Sequence, residues 1–417
     1  MVDEFVNLKN LTKKNYSDYF LQINPFPTSA VPDESPPFTA DREKEKSHFR
    51  DVLGELINNQ KSSATVFVGE YGSGKSHLMR ALKHSVNKQL FSFDDGTLAI
   101  YVRTTGRNFL DFYTELIEDV QKDNLKAFAE KLISDFIKKH RKNIGKLIYD
   151  PQLKKEIDKV ENDIPKFLES SMTVDFFKEI DNSDFINLRN RDVLHAFLNL
   201  AHPTYSTYAW SWFIGSKLSK DERELIQVRD TIDDPRSAYL IFGDFIKLLN
   251  AVGIKNIVLF IDELEKLTTI SSNLRSIYQD DLRHLIDDYP HELAIFLAIA
   301  GFQWKDLLKE RTALVRRIEN NVFNIEFFNL DQVKELIAMY LGHARTEKFD
   351  NKIKKIQDCE ASLYPFTNES LDEIYALTNG VCSRIIALCR RCIEYVADKN
   401  KGEVITAEIV KKLQSST

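Results

Sequence analysis

Apolar residues recur along this chain in two rhythms. Short apolar runs bounded by polar turns read as buried strands: Ala64 to Val68, Leu98 to Arg103, Ile257 to Ile261, Leu293 to Ala300 and Val322 to Glu326. Elsewhere apolar positions recur every three or four residues, the period of amphipathic helices. That pattern predicts helices at 41–59, from the stretch after residue 76 to 85, at 108–122, 124–141, 151–160, 163–169, 174–180, 191–200, 219–228 and 236–252. Further helices are expected at 274–287, 304–319, 331–347, 351–358, 369–377, 381–398 and 406–414. Ile257 to Ile261 is apolar without alternation, as in a parallel strand covered on both faces. Strands alternating with helices indicate an α/β fold with a parallel sheet of five strands.

The spacing of these elements divides the chain. Roughly 150 residues separate the second strand from the third, whereas a crossover needs a dozen or more. Most of 107–250 is therefore expected to be inserted helical structure. The expected division is a lead-in over 1–40, a first part of the core over 41–106, a helical insertion over 107–250, a second part of the core over 251–328 and an all-helical lid over 329–417. Prolines in Asn24-Pro-Phe-Pro27 and Val31-Pro-Asp-Glu-Ser-Pro-Pro37 make the lead-in extended. Asn379-Gly380 breaks the lid pattern as a helix C-cap would.

The first chemistry lies at the end of the first strand, in Gly69-Glu-Tyr-Gly-Ser-Gly-Lys-Ser-His77. Gly69-x-x-x-x-Gly74-Lys75-Ser76 between a strand and a helix is a phosphate-binding loop. Gly72 and Gly74 let the backbone bend so that successive N–H groups converge on anionic oxygens. The following helix turns its positive end to the same oxygens. Lys75 reaches the β- and γ-phosphates of ATP, and the Ser76 hydroxyl ligates Mg²⁺. Glu70, Tyr71, Ser73 and His77 complete the cofactor-binding segment.

The second chemistry follows the third strand. Asp262 and Glu263 stand at its C-terminal end, where open α/β sheets place their ligands. Asp262 is expected in the Mg²⁺ shell, and Glu263 as the general base that polarises an attacking water. Gly380-Val-Cys-Ser-Arg384 at the start of a lid helix is expected to aim Arg384 at the bound phosphates.

Composition narrows the class without changing this reading. The chain of 417 residues is 43% hydrophobic and 29% charged, with a formal charge of −6, which excludes a wholly basic nucleic-acid coat. The cluster Lys138-Lys-His-Arg-Lys142 with Lys146 could touch nucleic-acid phosphates or form a solvated helix face. No apolar run approaches the ~18 residues that span a bilayer. Four cysteines without a signal-peptide pattern point to the cytoplasm. Cys389-Arg-Arg-Cys392 reads as packing on a helix, with a metal or redox role as the alternative.

The order of these motifs resembles the AAA+ superfamily, in its initiator and transposition-regulator branch. Further stretches are similar to the ATP-binding proteins of BREX-type anti-phage systems: Asn24-Pro-Phe-Pro-Thr28, Ala40-Asp-Arg-Glu43, Ala209-Trp-Ser-Trp-Phe-Ile-Gly215, Leu218-Ser-Lys-Asp-Glu222, Ile261-Asp-Glu-Leu-Glu-Lys-Leu267 and Leu282-Arg-His-Leu-Ile-Asp287. The resemblance implies a cytosolic, Mg²⁺-dependent ATPase that forms homo-oligomers, often on double-stranded DNA, and works beside other defence subunits, with no membrane role. It implies that Arg316 or Arg317, with Arg311 nearby, reaches a neighbouring subunit's nucleotide. It also makes Asn24, Phe26 and Phe38 candidates for adenine contacts. The polar residue expected after the fourth strand is replaced by Ala300-Gly-Phe-Gln303, so that role is absent or moved to Gln303. Two functions follow: an ATP-hydrolysing switch, or a nucleotide-gated binding module with little turnover. A small-molecule kinase fits the Asp262-Glu263 pair less well.

Overall fold

The computed structural model describes residues 14–28, 39–103, 108–144, 164–170, 173–183, 185–349, 355–356, 358–399 and 403–414. Its centre is a five-stranded parallel sheet: β1 Ser63–Val68, β2 Gly96–Arg103, β3 Ile254–Asp262, β4 Leu293–Ile299 and β5 Val322–Asn324, in the spatial order β2-β3-β4-β1-β5. β4 thus lies between the strand leading to Gly69 and the strand ending at Asp262.

Both faces of the sheet are covered, which is why its strands lack the usual polar alternation. On one face Phe67, Tyr101, Phe260 and Phe296 pack against helices α1 (Glu43–Asn59) and α2 (Lys75–Gln89) through Phe49 and Leu78. The Phe260 and Phe49 rings lie 5.4 and 5.1 Å from Phe296. On the other face Val66, Ile100, Leu259, Ile261 and Leu297 join one continuous core with helices α3 (Phe109–Val120) and α10 (Pro235–Ala251). Asp234 caps the latter by accepting from the N–H groups of Arg236 and Ser237, with Pro235 in the first turn.

The expected insertion therefore begins and ends as the covering layer of the sheet. Between these two helices stand α4 (Lys122–Ile144), α5 (Ile164–Ser170), α6 (Thr173–Asp181), α7 (Arg191–Asn199), α8 (Ser206–Phe213) and α9 (Lys220–Leu225). The helix expected at 151–160 lies outside the described residues. α8 was not among the expected helices. It carries the tryptophan pair, and buried Trp212 donates from Nε1 to the Asp230 carbonyl at 2.7 Å. In the basic stretch, exposed Lys139 sits over the Phe185 ring and His140 stacks on Phe136. Lys146 lies outside the described residues.

Two expectations after β4 need correction. The helix expected at 304–319 is two helices, α11 excluded: Ser272–Asp288 (α11) precedes β4, and Gly301–Glu310 (α12) and Ala313–Ile318 (α13) follow it. The break falls at Arg311, which takes a left-handed φ of 50°, after which Thr312 caps the next helix through Val315 N–H. In the lid, the helix expected at 351–358 gives way to a short antiparallel pair, β6 (Lys355–Ile356) and β7 (Cys359–Glu360). Cys359 and Ala361 are buried while Glu360 is exposed, a period of two that fits an extended segment.

The rest of the lid is helical: α14 (Leu330–His343), α15 (Asn368–Thr378), α16 (Cys382–Lys399) and α17 (Ala407–Gln414). Cys389 and Cys392 are buried, unbridged, in its core, and burial pushes the Cys392 thiol up to about 12. The lead-in residues pack here too. Phe26 is fully buried, 5.3 Å from the Tyr340 ring, and Asn24 donates to the Arg390 carbonyl at 3.0 Å. Neither is among the residues lining the cavity described below, and Phe38 lies outside the described residues.

Candidate functional site

At the C-terminal ends of the strands, the loop after β1, the turn after β3 and the start of lid helix α16 enclose a cavity of about 470 Å³. Tyr71, Gly72, Gly74, Lys75, Ser76 and His77 line one side of it. Asp262, Glu263 and Glu265 line another, and Cys382 and Ser383 come from the lid.

The loop owes its shape to its glycines. Gly72 and Gly74 have φ of +81° and +96°, a region L side chains rarely enter. Gly72 also touches the lid: a Cβ there would lie 2.6 Å from Ser383 Oγ and 2.7 Å from a Val381 methyl. Gly69 has no room for a side chain against the Ile325 carbonyl, 2.6 Å from its notional Cβ. Lys75 is buried and folds back, donating to the Gly69 carbonyl at 2.6 Å and the Glu70 carbonyl at 3.2 Å. Burial lowers its pKa, offset by Glu265, Asp262 and Glu70. Ser73 is buried and is not among the residues lining the cavity. Its carbonyl accepts from Arg42 at 2.8 Å, and Arg42 also holds the Glu326 carbonyl at 2.9 Å. Gly69 and Glu70 border a neighbouring cleft with Trp304 and Ile325.

Asp262 is buried to 2% exposure, and both carboxylate oxygens are engaged. The Tyr101 hydroxyl donates to Oδ2 at 2.5 Å and the Glu263 N–H to Oδ1 at 2.8 Å. Arg80 in turn sits 4.9 Å from the centre of the Tyr101 ring. The Ser76 hydroxyl and the Asp262 carboxylate are hard oxygen donors on one cavity. That set suits Mg²⁺, which takes few protein ligands and completes its shell with phosphate oxygens and waters. Among the described residues no group of three or more His, Cys, Asp or Glu side chains forms a metal cage.

The two glutamates of the turn part company. Glu263 adopts a left-handed φ of 57°, and its carboxylate pairs with Lys266 at 2.5 Å. Glu265 is the group that motif reading missed. It belongs to the 3-10 turn Leu264–Thr269, faces Lys75 and Asp262, and burial raises its carboxyl pKa. The available signal was spacing: in a tight turn residues i and i+3 fall on one side, as Asp262 and Glu265 do here.

Other expected residues lie elsewhere. Arg384 is exposed and does not line the cavity, although its neighbours Cys382 and Ser383 do. Arg316 and Arg317 are exposed on α13, and Arg317 pairs with Asp287 at 3.1 Å, so neither approaches this chain's own cavity. Gln303 does reach it, donating to the Tyr71 hydroxyl at 3.4 Å. Its Oε1 is buried without a hydrogen-bond partner among the described residues.

The chain is similar to proteins of known structure and matches one described family. Among solved structures, the ORC2 protein of Aeropyrum pernix in its ADPNP–ADP complexes is similar over 93% of this chain and 70% of its own, at 10% identity and a TM-score of 0.48. The Aeropyrum pernix ORC1 protein in complex with DNA covers 93% of this chain and 68% of its own, at 12% identity and 0.47. Cdc6p from Pyrobaculum aerophilum covers 90% and 67%, at 11% identity and 0.43. Likenesses of that size say nothing of activity. No curated protein matches the chain. The family described as BREX system ATP-binding protein BrxC/D matches residues 31–384, most of the sequence. The chain, with its phosphate loop, parallel sheet and helical lid, belongs to the BREX system ATP-binding BrxC/D family.

Proposed function

We propose that this protein binds ATP with Mg²⁺ and hydrolyses it, as a cytoplasmic switch that forms homo-oligomers and acts with DNA-processing partners in prokaryotic anti-phage defence. The observation that carries this reading is the convergence of Lys75, Ser76, Asp262 and the lid residues Cys382 and Ser383 on one cavity. A core–lid cavity lets the γ-phosphate bias the angle between two bodies, which is what a switch requires. Gly72 transmits that bias most directly, because it touches Ser383 and Val381.

The residues divide the work. Lys75 leaves the Gly69 carbonyl for the β- and γ-phosphates, and the loop N–H groups bind the remaining oxygens. Ser76 and Asp262 hold the metal, with Tyr101 fixing the Asp262 carboxylate. Mg²⁺ held there would supply positive charge against the negative charge that develops on the phosphates. A carboxylate of the turn after β3 takes the water's proton, and the sequence expectation assigns this to Glu263. Arg384 from the lid and Arg316 or Arg317 from a neighbouring subunit are the proposed sources of further positive charge. The exposure of the latter two supports a role between subunits.

A second reading is a nucleotide-gated module with slow turnover. The apolar tip of β4, Ala300-Gly301, favours it, since no polar side chain there faces a γ-phosphate. Orthophosphate release with and without double-stranded DNA separates the two, and a sizing column run with ADP, a slow ATP analogue and DNA tests assembly. Steady release supports the switch, tight binding without release supports the module, and an unchanged size in every condition rules out the oligomer.

A further inference from the structure

Ser73 stands between two glycines of the phosphate loop, Gly72 and Gly74, both at positive φ. Gly74 is glycine for its φ and not for want of room, since nothing lies within 4 Å of a notional Cβ there. Glycine enters either sign of φ readily, so the peptide between Ser73 and Gly74 is prone to flip unless something holds it. The Ser73 N–H is held within the loop, by the Glu70 carbonyl at 3.1 Å. Its carbonyl is held from outside. Arg42 Nη2 donates to that carbonyl at 2.8 Å and to the Glu326 carbonyl, beyond β5, at 2.9 Å. In a trans peptide the carbonyl and the next N–H point in opposite directions. Fixing the Ser73 carbonyl therefore fixes the N–H of Gly74, a residue that lines the cavity.

The same guanidinium reaches the lid. Its central carbon lies 4.4 Å from the ring centre of Phe328, a buried residue of the lid core. The Phe328 N–H donates to the Gly380 carbonyl at 3.0 Å. Directly after Gly380 come Val381 and Ser383, which a Cβ on Gly72 would strike. Loop and lid are thus joined twice, at Gly72 by direct contact and at Ser73 through Arg42. Arg42 and Glu45 are both buried and pair at 3.1 Å, which balances the charge. The backbone at this joint is strained: Asp41 and Arg42 take left-handed φ of 45° and 67° in succession. Such residues persist only where their surroundings over-determine them. Here Asp41 is tied to lid helix α14, accepting from Gln332 and donating its N–H to Glu335 at 3.3 Å, while Arg42 is tied to the loop.

We infer that Arg42 is a positioning residue for the nucleotide: it sets the Ser73–Gly74 peptide of the phosphate loop and ties that setting to the position of the lid. This rests on the nucleotide-binding reading above and asks nothing of turnover. The role calls for a planar fork, because one side chain serves two carbonyls, a carboxylate and a ring at once. An ammonium is a point charge on a flexible stem and cannot replace it. Opening the lid withdraws Phe328 from the guanidinium and loosens the peptide, so grip on phosphate and closure of the lid rise and fall together. The loop N–H groups cradle the phosphates that ADP and ATP share, so the coupling acts on both nucleotides alike.

The test compares the wild type with Arg42→Lys in the full chain with Mg²⁺. It reads ADP and ATP affinity by calorimetry, and proteolysis of the core–lid junction with and without ADP. Arg42→Lys is expected to bind both nucleotides about tenfold more weakly, the scale of one charge-assisted hydrogen bond, and to lose the protection that ADP gives the junction. A role confined to stability would lower the thermal midpoint and leave affinity unchanged at temperatures where the variant is folded. Affinity within about threefold of the wild type, or a loss confined to ATP, overturns the assignment. Should the wild type bind neither nucleotide, the binding reading fails, and the nucleotide-free protein decides the joint. Arg42→Lys must then speed cleavage of the junction by about threefold or more, and an unchanged rate overturns the proposal. Should Arg42→Lys fail to fold, Phe328→Leu replaces it. That variant keeps an apolar side chain in the lid core and removes the ring beside the guanidinium, so ADP must bind about threefold or more weakly and protect the junction less. Wild-type affinity and protection in Phe328→Leu overturn the proposal.

Discussion

Gly69–Ser76 and Asp262–Thr269 are both short connections at the C-terminal ends of parallel strands, and both line the same cavity. They reach it by different means. The first acts through its backbone: glycines at positive φ, a lysine donating to loop carbonyls and the start of a helix. The second acts through its side chains: Asp262 is clamped by Tyr101, Glu263 pairs with Lys266, and Glu265, its Oε2 buried, lines the cavity beside them. A backbone device is written in residue types at fixed spacing. A side-chain device depends on a φ angle and on what packs alongside, which residue types alone do not encode.

Substitutions can break or sharpen this contrast. The largest effect is expected from Lys75→Ala, which removes the buried lysine that lines the cavity. ATP affinity should fall on the order of 100-fold, equivalent to about 3 kcal/mol for a charge-assisted contact, as read by calorimetry. Next is Gly72→Ala. A left-handed L-residue costs roughly 1–2 kcal/mol, and the new Cβ collides with Ser383 and Val381 of the lid. About tenfold weaker ATP binding is expected, with the lid displaced, which limited proteolysis of the core–lid junction would report.

On the turn, Tyr101→Phe keeps the ring over which Arg80 sits and deletes the hydroxyl that fixes Asp262. Outer contacts of this kind are worth roughly tenfold in metal affinity, so the Mg²⁺ concentration for half-maximal ATP binding should rise by about that factor while ATP affinity at saturating Mg²⁺ stays close to normal. The smallest effect is expected from Lys266→Met. It frees Glu263 from an exposed ion pair worth under about 1 kcal/mol, so the thermal midpoint should barely move and ATP affinity should change less than about threefold. A large loss in Lys266→Met would show that the Glu263–Lys266 pair contributes to nucleotide binding.

The same contrast explains which parts were legible in the sequence. Five strands were visible because each is an apolar run, and their parallel pairing follows from burial on both faces. The phosphate loop was visible because Gly69, Gly74, Lys75 and Ser76 are each required by local geometry. The place of Glu265 in the cavity lining was not visible, since residue types in Asp262-Glu-Leu-Glu265 do not say which side chains reach the cavity. Nor was the break at Arg311, where helical periodicity runs on through a residue that leaves the helical region. The pair Ile356–Cys359 is too short for either rhythm to declare itself. The helix Ser206–Phe213 was hidden for the opposite reason: its aromatic residues face several directions at once, so no single apolar stripe marks it. Tyr19, Leu21 and Phe26 form part of the lid core, a long-range match that no local pattern could reveal.

The central claim is that the cavity between loop, turn and lid turns over ATP. Its most direct test is orthophosphate release by the purified full chain with ATP and Mg²⁺, measured beside Lys75→Ala. Steady release by the wild type that is lost in Lys75→Ala is the predicted result. Release that persists in Lys75→Ala, or none from a wild type that binds ATP, would contradict it.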